Sequence, residues 1–343
     1  MSEYRQDPFT GRWAVVAEGR GARPNEHASS PPSASADPNC PFCEGREART
    51  PPEVGALRRS GSAPDGPGWS VRAIPNRFPT VEGAPAGPGP TGRPPSPDRR
   101  PGAGLHEVVI ETPAHAPALP FLEESHVRAL FRFLRDRVRA LEGRPGISSV
   151  VLFENWGPES GGTLWHPHAQ LVATELLAPR LAEELERFAA AGAGPCLLES
   201  VTRADEADRT RVILADEHFV AVAPFGAEHP FEIRFVPRRH ATSFSDATDA
   251  EADALARHLP AALRALGRLV PGVSYNWVVH GLASGTAGHE RFHWHVEVLP
   301  RLVRADGFEL GSGLSVNPLP PELAASQLAA ELGAGALSVG RKR

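Results

Sequence analysis

Apolar and polar positions change period several times along the chain, and each change marks an element. Residues 122–142 (LEESHVRALFRFLRDRVRALE) place Val127, Leu130, Phe131, Leu134, Val138 and Leu141 three or four positions apart. That spacing predicts an amphipathic helix with one buried stripe. His106–Thr112 (HEVVIET), Ser148–Asn155 (SSVVLFEN) and His166–Ala173 (HPHAQLVA) are short and rich in β-branched residues, so they predict strands. Residues 179–191 predict a second helix. The order then recurs, with a strand at Phe231–Val236, a helix over about 247–269, and strands at Ser274–His280 and Phe292–Leu299.

Three histidines per series repeat with these elements. His115 follows the first strand of one series and His240 the first strand of the other, while His-x-His opens the last strand of each, at His166/His168 and His293/His295. His115 to His166 spans 51 residues and His240 to His293 spans 53. Self-similarity in one order predicts an internal duplication. The expected fold class is therefore α+β, with two related antiparallel half-barrel sheets and helices packed on them. The halves are expected at 1–195 and 196–343.

Residues 25–39 and 81–103 are dense in Pro, Gly, Ser and Ala and read as loops. The rest is globular in composition, with 41% hydrophobic and 22% charged residues over 343 positions. No apolar run approaches the roughly 18–20 residues that span a bilayer, and the N-terminus lacks a signal-peptide layout, so a soluble, cytoplasmic chain with no membrane partner is expected. A net charge of −5 gives no general attraction to nucleic acid, and none is expected as a partner.

Three cysteines, at 40, 43 and 196, do not form a disulfide framework. Cys40-x-x-Cys43 has the spacing that brings two thiolates to one tetrahedral zinc, and His115 and His166 are natural candidates for the other two ligands. A redox pair is the weaker reading, because no βαβ context follows it. Four protein ligands close the coordination, so the zinc is expected to be structural, pinning the loop.

In a strand, residues two apart share a face, so each His-x-His pair can present two imidazoles to one site. With His166 on zinc, His168 is left as a nucleophile toward phosphorus. The carbonyl of His166 is a suitable partner for its other ring nitrogen, fixing the tautomer. Gln170, on the same face, can hold a phosphoryl oxygen without supplying a proton that promotes attack by water. His106, His126, His218, His229, His258 and His289 read as ordinary surface or core histidines.

The stretch from Gly162 to Gln170 (GTLWHPHAQ) resembles the His-Pro-His-x-Gln signature of galactose-1-phosphate uridylyltransferases, within the histidine-triad superfamily. The resemblance continues through Asp7–Trp13, Arg20–Arg23, the Cys40/Cys43 pair, Pro75–Pro79, Phe153–Asn155, His280-Gly281 and Phe292–His295. It implies a duplicated histidine-triad-like nucleotidyltransferase with zinc on Cys40, Cys43, His115 and His166. UMP would pass from UDP-glucose to galactose 1-phosphate through a uridylyl-His168 intermediate. Gln170 would assist catalysis, and Arg20, Arg23, Asn76, Asn155, Thr163 and Gln170 would line the nucleotide and its phosphates.

A second metal, iron or zinc, is implied on His280, His293 and His295 with Glu184, or equally Glu183, as the carboxylate. Family partners are a nucleotide sugar and a sugar 1-phosphate, and members are homodimers. The chain departs from the family pattern near its C-terminus, where Phe308–Gly313 (FELGSG) stands in place of a Tyr-Glu pair. Ala169 also replaces the commoner glycine. The first of these stretches, together with His106–Pro113 (HEVVIETP), resembles a branch that includes ADP-glucose phosphorylases. That leaves adenylyl transfer to phosphate, and a nucleotide-binding module without turnover, as alternatives.

Overall fold

The amphipathic stripe at 124–142 folds as expected. In the computed structural model all six of its apolar positions are buried in one core cluster. The structure describes residues 3–16, 39–84, 102–115, 118–192 and 194–339. Arg20, Arg23 and the Pro-rich stretches 25–38 and 85–101 lie outside these described residues.

The strands are β1 (Glu3–Gln6), β2 (Trp13–Val16), β3 (Gly55–Arg58), β4 (Trp69–Pro75), β5 (Gly104–Ile110), β6 (Ser149–Trp156), β7 (His168–Thr174), β8 (Val212–Ala215), β9 (Phe219–Val222), β10 (Ile233–Pro237), β11 (Tyr275–His280), β12 (His295–Pro300) and β13 (Ser315–Asn317). The α-helices are α1 (Glu124–Glu142), α2 (Pro179–Ala190), α3 (Leu197–Asp208), α4 (Asp249–Leu269), α5 (Gly307–Ser312) and α6 (Pro321–Val339). Ten strands form one sheet in the order β3-β4-β5-β7-β6-β11-β12-β10-β9-β8, and β1-β2-β13 form a small second sheet.

The large sheet is thus two five-stranded halves joined edge to edge, with β6 antiparallel to β11. The point between residues 195 and 196 falls between α2 and α3, and the sheet runs on across the seam. α1 and α4 are corresponding helices of the two halves and pack against each other. Arg132 makes a fork to Asp253 at 2.8 and 2.7 Å, and Arg135 reaches Asp249 at 2.7 Å. α4 starts where Thr248 accepts from the Glu251 amide and Glu251 answers to the Thr248 amide, a reciprocal cap that satisfies two otherwise orphaned donors.

Strand alternation divides the sheet into a helix-covered face and a site face. Val109, Ala169, Leu171 and Ala173 enter the helix-packed core. Glu107 points the same way and pairs with Arg137 of α1 at 2.9 Å. Their neighbours His106, Val108, Ile110, His168 and Gln170 therefore share the opposite face, with Ile110 opposite His168 and Val108 opposite Gln170.

Candidate functional site

At the Cys40 end of this face, four side chains converge. Cys40 Sγ lies 3.6 Å from His166 Nδ1, and Cys43 Sγ lies 3.7 Å from both His166 Nδ1 and His115 Nδ1. One ligand atom from each residue falls within 4.8 Å of all the others. With Zn–S near 2.3 Å and Zn–N near 2.05 Å, the edge of a zinc tetrahedron is about 3.5 Å, so these spacings fit the ion. The donor set also suits it. His166 Nε2–H donates to the Thr112 carbonyl at 2.7 Å, which leaves Nδ1 bare for metal. Without metal, burial holds the Cys40 thiol up at about 11 and His166 down at about 4. The loop is tied down by Glu44 N–H to the Pro113 carbonyl (3.1 Å) and by Trp69 Nε1–H to Glu47 (2.7 Å).

The strand begins only at His168, so His166 lies outside it and the two imidazoles do not face one site as strand alternation had suggested. His166 turns to the cysteines. His168 Nδ1–H donates to the His166 carbonyl at 2.8 Å, leaving Nε2 with its lone pair. Burial pushes the His168 ring below its ordinary value, partly offset by that carbonyl. Its ring is 8% exposed and packs edge-on to Phe42 at 5.3 Å.

Gln170, Asn155 and Asn76 lie on the same side of the sheet. Asn155 follows Glu154, which is opposite Ala169, so its side chain falls on the face of His168. Its Oδ1 accepts from Asn276 Nδ2 at 2.7 Å. Thr163 is exposed in the loop between β6 and β7. That loop folds back because Gly162 has no side chain: a Cβ there would sit 2.9 Å from the carbonyl oxygens of Asn155 and Gly157. Asn76, just past β4, donates its backbone N–H to the His106 carbonyl at 2.7 Å. His106 itself is no ordinary core histidine, since its Nε2 lies 3.0 Å from Gln170 Oε1 and 3.1 Å from Asn76 Nδ2.

The second half repeats the first with different outcomes. His293 Nε2 meets the Pro237 carbonyl at 2.9 Å, as His166 meets Thr112, and Nδ1 faces Cys196 Sγ at 3.4 Å. Cys196, Glu199, His240 and His293 form one potential metal group, in the order of Cys40, Cys43, His115 and His166. Burial, with His240 nearby, pushes His293 to about 3 and burial raises the Cys196 thiol.

The expected quartet of Glu184, His280, His293 and His295 is therefore corrected. Glu184, His280 and His295 do come together, but His293 precedes β12 and turns the other way. Glu184 rather than Glu183 is the inward carboxylate: it is 1% exposed and accepts from His280 at 2.9 Å, whereas Glu183 is exposed and faces Arg12. Cys196, Glu199 and His240 were not expected in such a group. The signal was present in Cys196-x-x-Glu199, which has the spacing of Cys40-x-x-Cys43, and in His240, already aligned with His115.

His295 occupies the place of His168, and Glu297 that of Gln170. His295 is fully buried, its Nε2 3.9 Å from Glu184 and 4.0 Å from Glu297. Arg234 closes this centre by pairing with Glu297 at 3.1 Å and Asp7 at 3.3 Å. Among the described residues, only the first of these two histidine centres presents a bare ring nitrogen beside an amide.

A duplicated sheet with one His-Pro-His-x-Gln segment so arranged defines a histidine-triad-like transferase. Residues 1–178 match the family described as galactose-1-phosphate uridyl transferase, N-terminal domain, and the chain belongs to that family. Residues 120–335 also match a domain of unknown function, DUF4921. An ADP-glucose phosphorylase of Arabidopsis thaliana is 29% identical over 327 residues, covering 93% of this chain and 90% of that protein. A galactose-1-phosphate uridylyltransferase of Thermotoga maritima is 26% identical over 340 residues, covering 96% and 98%. The crystal structure of an Arabidopsis thaliana ADP-glucose phosphorylase with bound ADP-glucose superposes with a TM-score of 0.79 at 27% identity, covering 96% of this chain and 98% of that one. No helix among the described residues is long and apolar enough to cross a membrane.

Proposed function

We propose that the chain takes a nucleoside monophosphate from a nucleotide sugar onto His168 Nε2 and delivers it to a phosphate acceptor, with an adenylyl donor. The observation that carries this reading is the Nδ1–H of His168 held by the His166 carbonyl, which leaves Nε2 as the nucleophile beside Gln170. In the first step the Nε2 lone pair bonds to the α-phosphorus and the bond to the sugar-phosphate oxygen breaks, releasing a sugar 1-phosphate. In the second, an acceptor phosphate oxygen bonds to phosphorus and the P–N electron pair returns to Nε2. Asn76, Asn155, Thr163 and Gln170 would hold the phosphates, together with Arg20 and Arg23, whose guanidinium forks suit a diphosphate.

Cys40, Cys43, His115 and His166 would hold zinc, which supplies a structural clamp on the loop facing His168. For a second metal, Cys196, Glu199, His240 and His293 are the better holders. A cation at Glu184 would compete with the His280 contact and lie close to the Arg234 charge.

Support for the adenylyl donor comes from the near full-length likeness to an ADP-glucose phosphorylase and from the FELGSG and HEVVIETP stretches. The likeness to the Thermotoga maritima enzyme supports a second reading, uridylyl transfer to galactose 1-phosphate. Intact-mass measurement after exposure to ADP-glucose or UDP-glucose separates them, since the added mass names the nucleotide. The adenylyl adduct is expected, and it should vanish in His168→Gly. An adduct that survives in His168→Gly would refute the nucleophile.

A further inference from the structure

Gln170 can serve the transferred phosphoryl group only if its amide faces the right way. An amide presenting its NH2 donates to phosphoryl oxygens. Turned over, it presents a carbonyl that repels them and can instead accept a proton from an attacking water. Nothing in β7 itself chooses between these orientations.

His106 makes the choice. The backbone N–H of Thr80 lies 3.1 Å from His106 Nδ1, and a backbone amide can only donate, so Nδ1 must be the bare nitrogen. A neutral ring then carries its proton on Nε2, and that N–H points at Gln170 Oε1, 3.0 Å away. The Gln170 oxygen is taken, and its NH2 is left on the far side of the amide, on the sheet face shared with His168. Asn76 is oriented separately: its Oδ1 accepts from the Phe78 N–H at 2.9 Å, so its Nδ2 stands 3.1 Å from His106 Nε2, a second donor group beside the N–H that Gln170 Oε1 receives. His106 is 8% exposed, and burial keeps its ring neutral by pushing it below its ordinary value. In the second half Glu297, the counterpart of Gln170, is held by Arg234 instead.

We propose that His106 is a positioning residue, which locks Gln170 with its NH2 toward the phosphoryl group on His168 and so sets how long the nucleotidyl-histidine survives in water. The proposal rests on covalent transfer through His168. The reaction it restrains is hydrolysis. There a water oxygen bonds to phosphorus, the P–N electron pair returns to Nε2, one water proton goes to solvent, and the free nucleoside monophosphate leaves.

The test compares the native chain with His106→Leu and His106→Gln. The glutamine variant retains an N–H donor near the position of Nε2. Each protein is loaded with ADP-glucose or UDP-glucose, freed of nucleotide sugar, and followed by intact mass in buffer without acceptor, then assayed for kcat and KM with phosphate or a sugar 1-phosphate. Loss of one hydrogen bond of ordinary strength predicts about tenfold faster hydrolysis and about tenfold lower kcat in His106→Leu, with KM little changed. His106→Gln should recover most of both. Equal adduct lifetimes in native and His106→Leu chains would overturn the proposal, as would equal damage from both substitutions, which marks a packing role. If His106→Leu does not fold, a native-like lifetime in His106→Phe, with a ring but no donor, overturns it equally. Absence of any adduct in the native chain would overturn the transfer reading itself, a result distinct from the others.

Discussion

Replacing Glu154 by glutamine should stabilise the protein at neutral pH and do almost nothing in acid. Glu154 is 1% exposed on the helix-covered face; Oε2 accepts from the Trp277 indole, and Oε1 is without a hydrogen-bond partner among the described residues. Glu111 is fully buried, with neither carboxyl oxygen partnered among them. Burial pushes Glu154 up to about 8 from an ordinary 4.5, and burial together with the Glu154 charge pushes Glu111 well up. The folded chain therefore keeps a proton that the unfolded chain releases. No cost exists below pH 4.5, and it grows by about 1.4 kcal/mol per pH unit until the folded group ionises near 8.

At pH 7 the cost is about 3 kcal/mol, which a neutral glutamine that still accepts from Trp277 avoids. For a chain of this length 3 kcal/mol corresponds to roughly 4 °C in Tm. Thermal unfolding of the native chain and Glu154→Gln, at pH 5 and pH 7, checks this. The expected gain is roughly 4 °C at pH 7 and about 1 °C at pH 5. An equal shift at both values, or a loss at pH 7, would refute the reasoning.

Two further outcomes follow from the site. Because burial depresses His168, its neutral form persists below the ordinary histidine range, so single-turnover formation of the nucleotidyl-enzyme should stay level as pH falls through 6.5 and decline only below it; a midpoint at or above 6.5 would contradict this. Purified protein should carry two metal ions per chain by elemental analysis, about one after Cys196→Ser and still two after His280→Gln, and metal lost with His280 instead would place the second ion at Glu184.

Much of this was readable in the residues, and the failures have physical causes. Helices with strong contrast between faces, such as α1 and α4, and the central strands β5, β6, β7, β11 and β12 stand out by period. β3 is half-buried at every position and β13 has three residues, so neither shows a two-residue alternation. α6 is rich in Ala and Gly, and its faces differ little. Cys40-x-x-Cys43 and His166-x-His168 are short motifs and so stand out in the chain, although their meeting with each other spans 126 residues. His293 was misplaced because the direction of its ring depends on where β12 begins, one position after Trp294. The contacts of His106 are not legible in the sequence because Thr80 and Gln170 lie 26 and 64 residues away.

The seam between β6 and β11 carries a consequence for any attempt to separate the halves. Five residue pairs, from Leu152↔Val279 to Trp156↔Tyr275, zip the two repeats into one sheet. Cutting the chain near residue 195 and expressing either fragment alone would bare a mid-sheet strand as an open, largely apolar edge, the kind of surface that recruits further strands. Isolated fragments should precipitate, and co-expressed fragments should rescue each other.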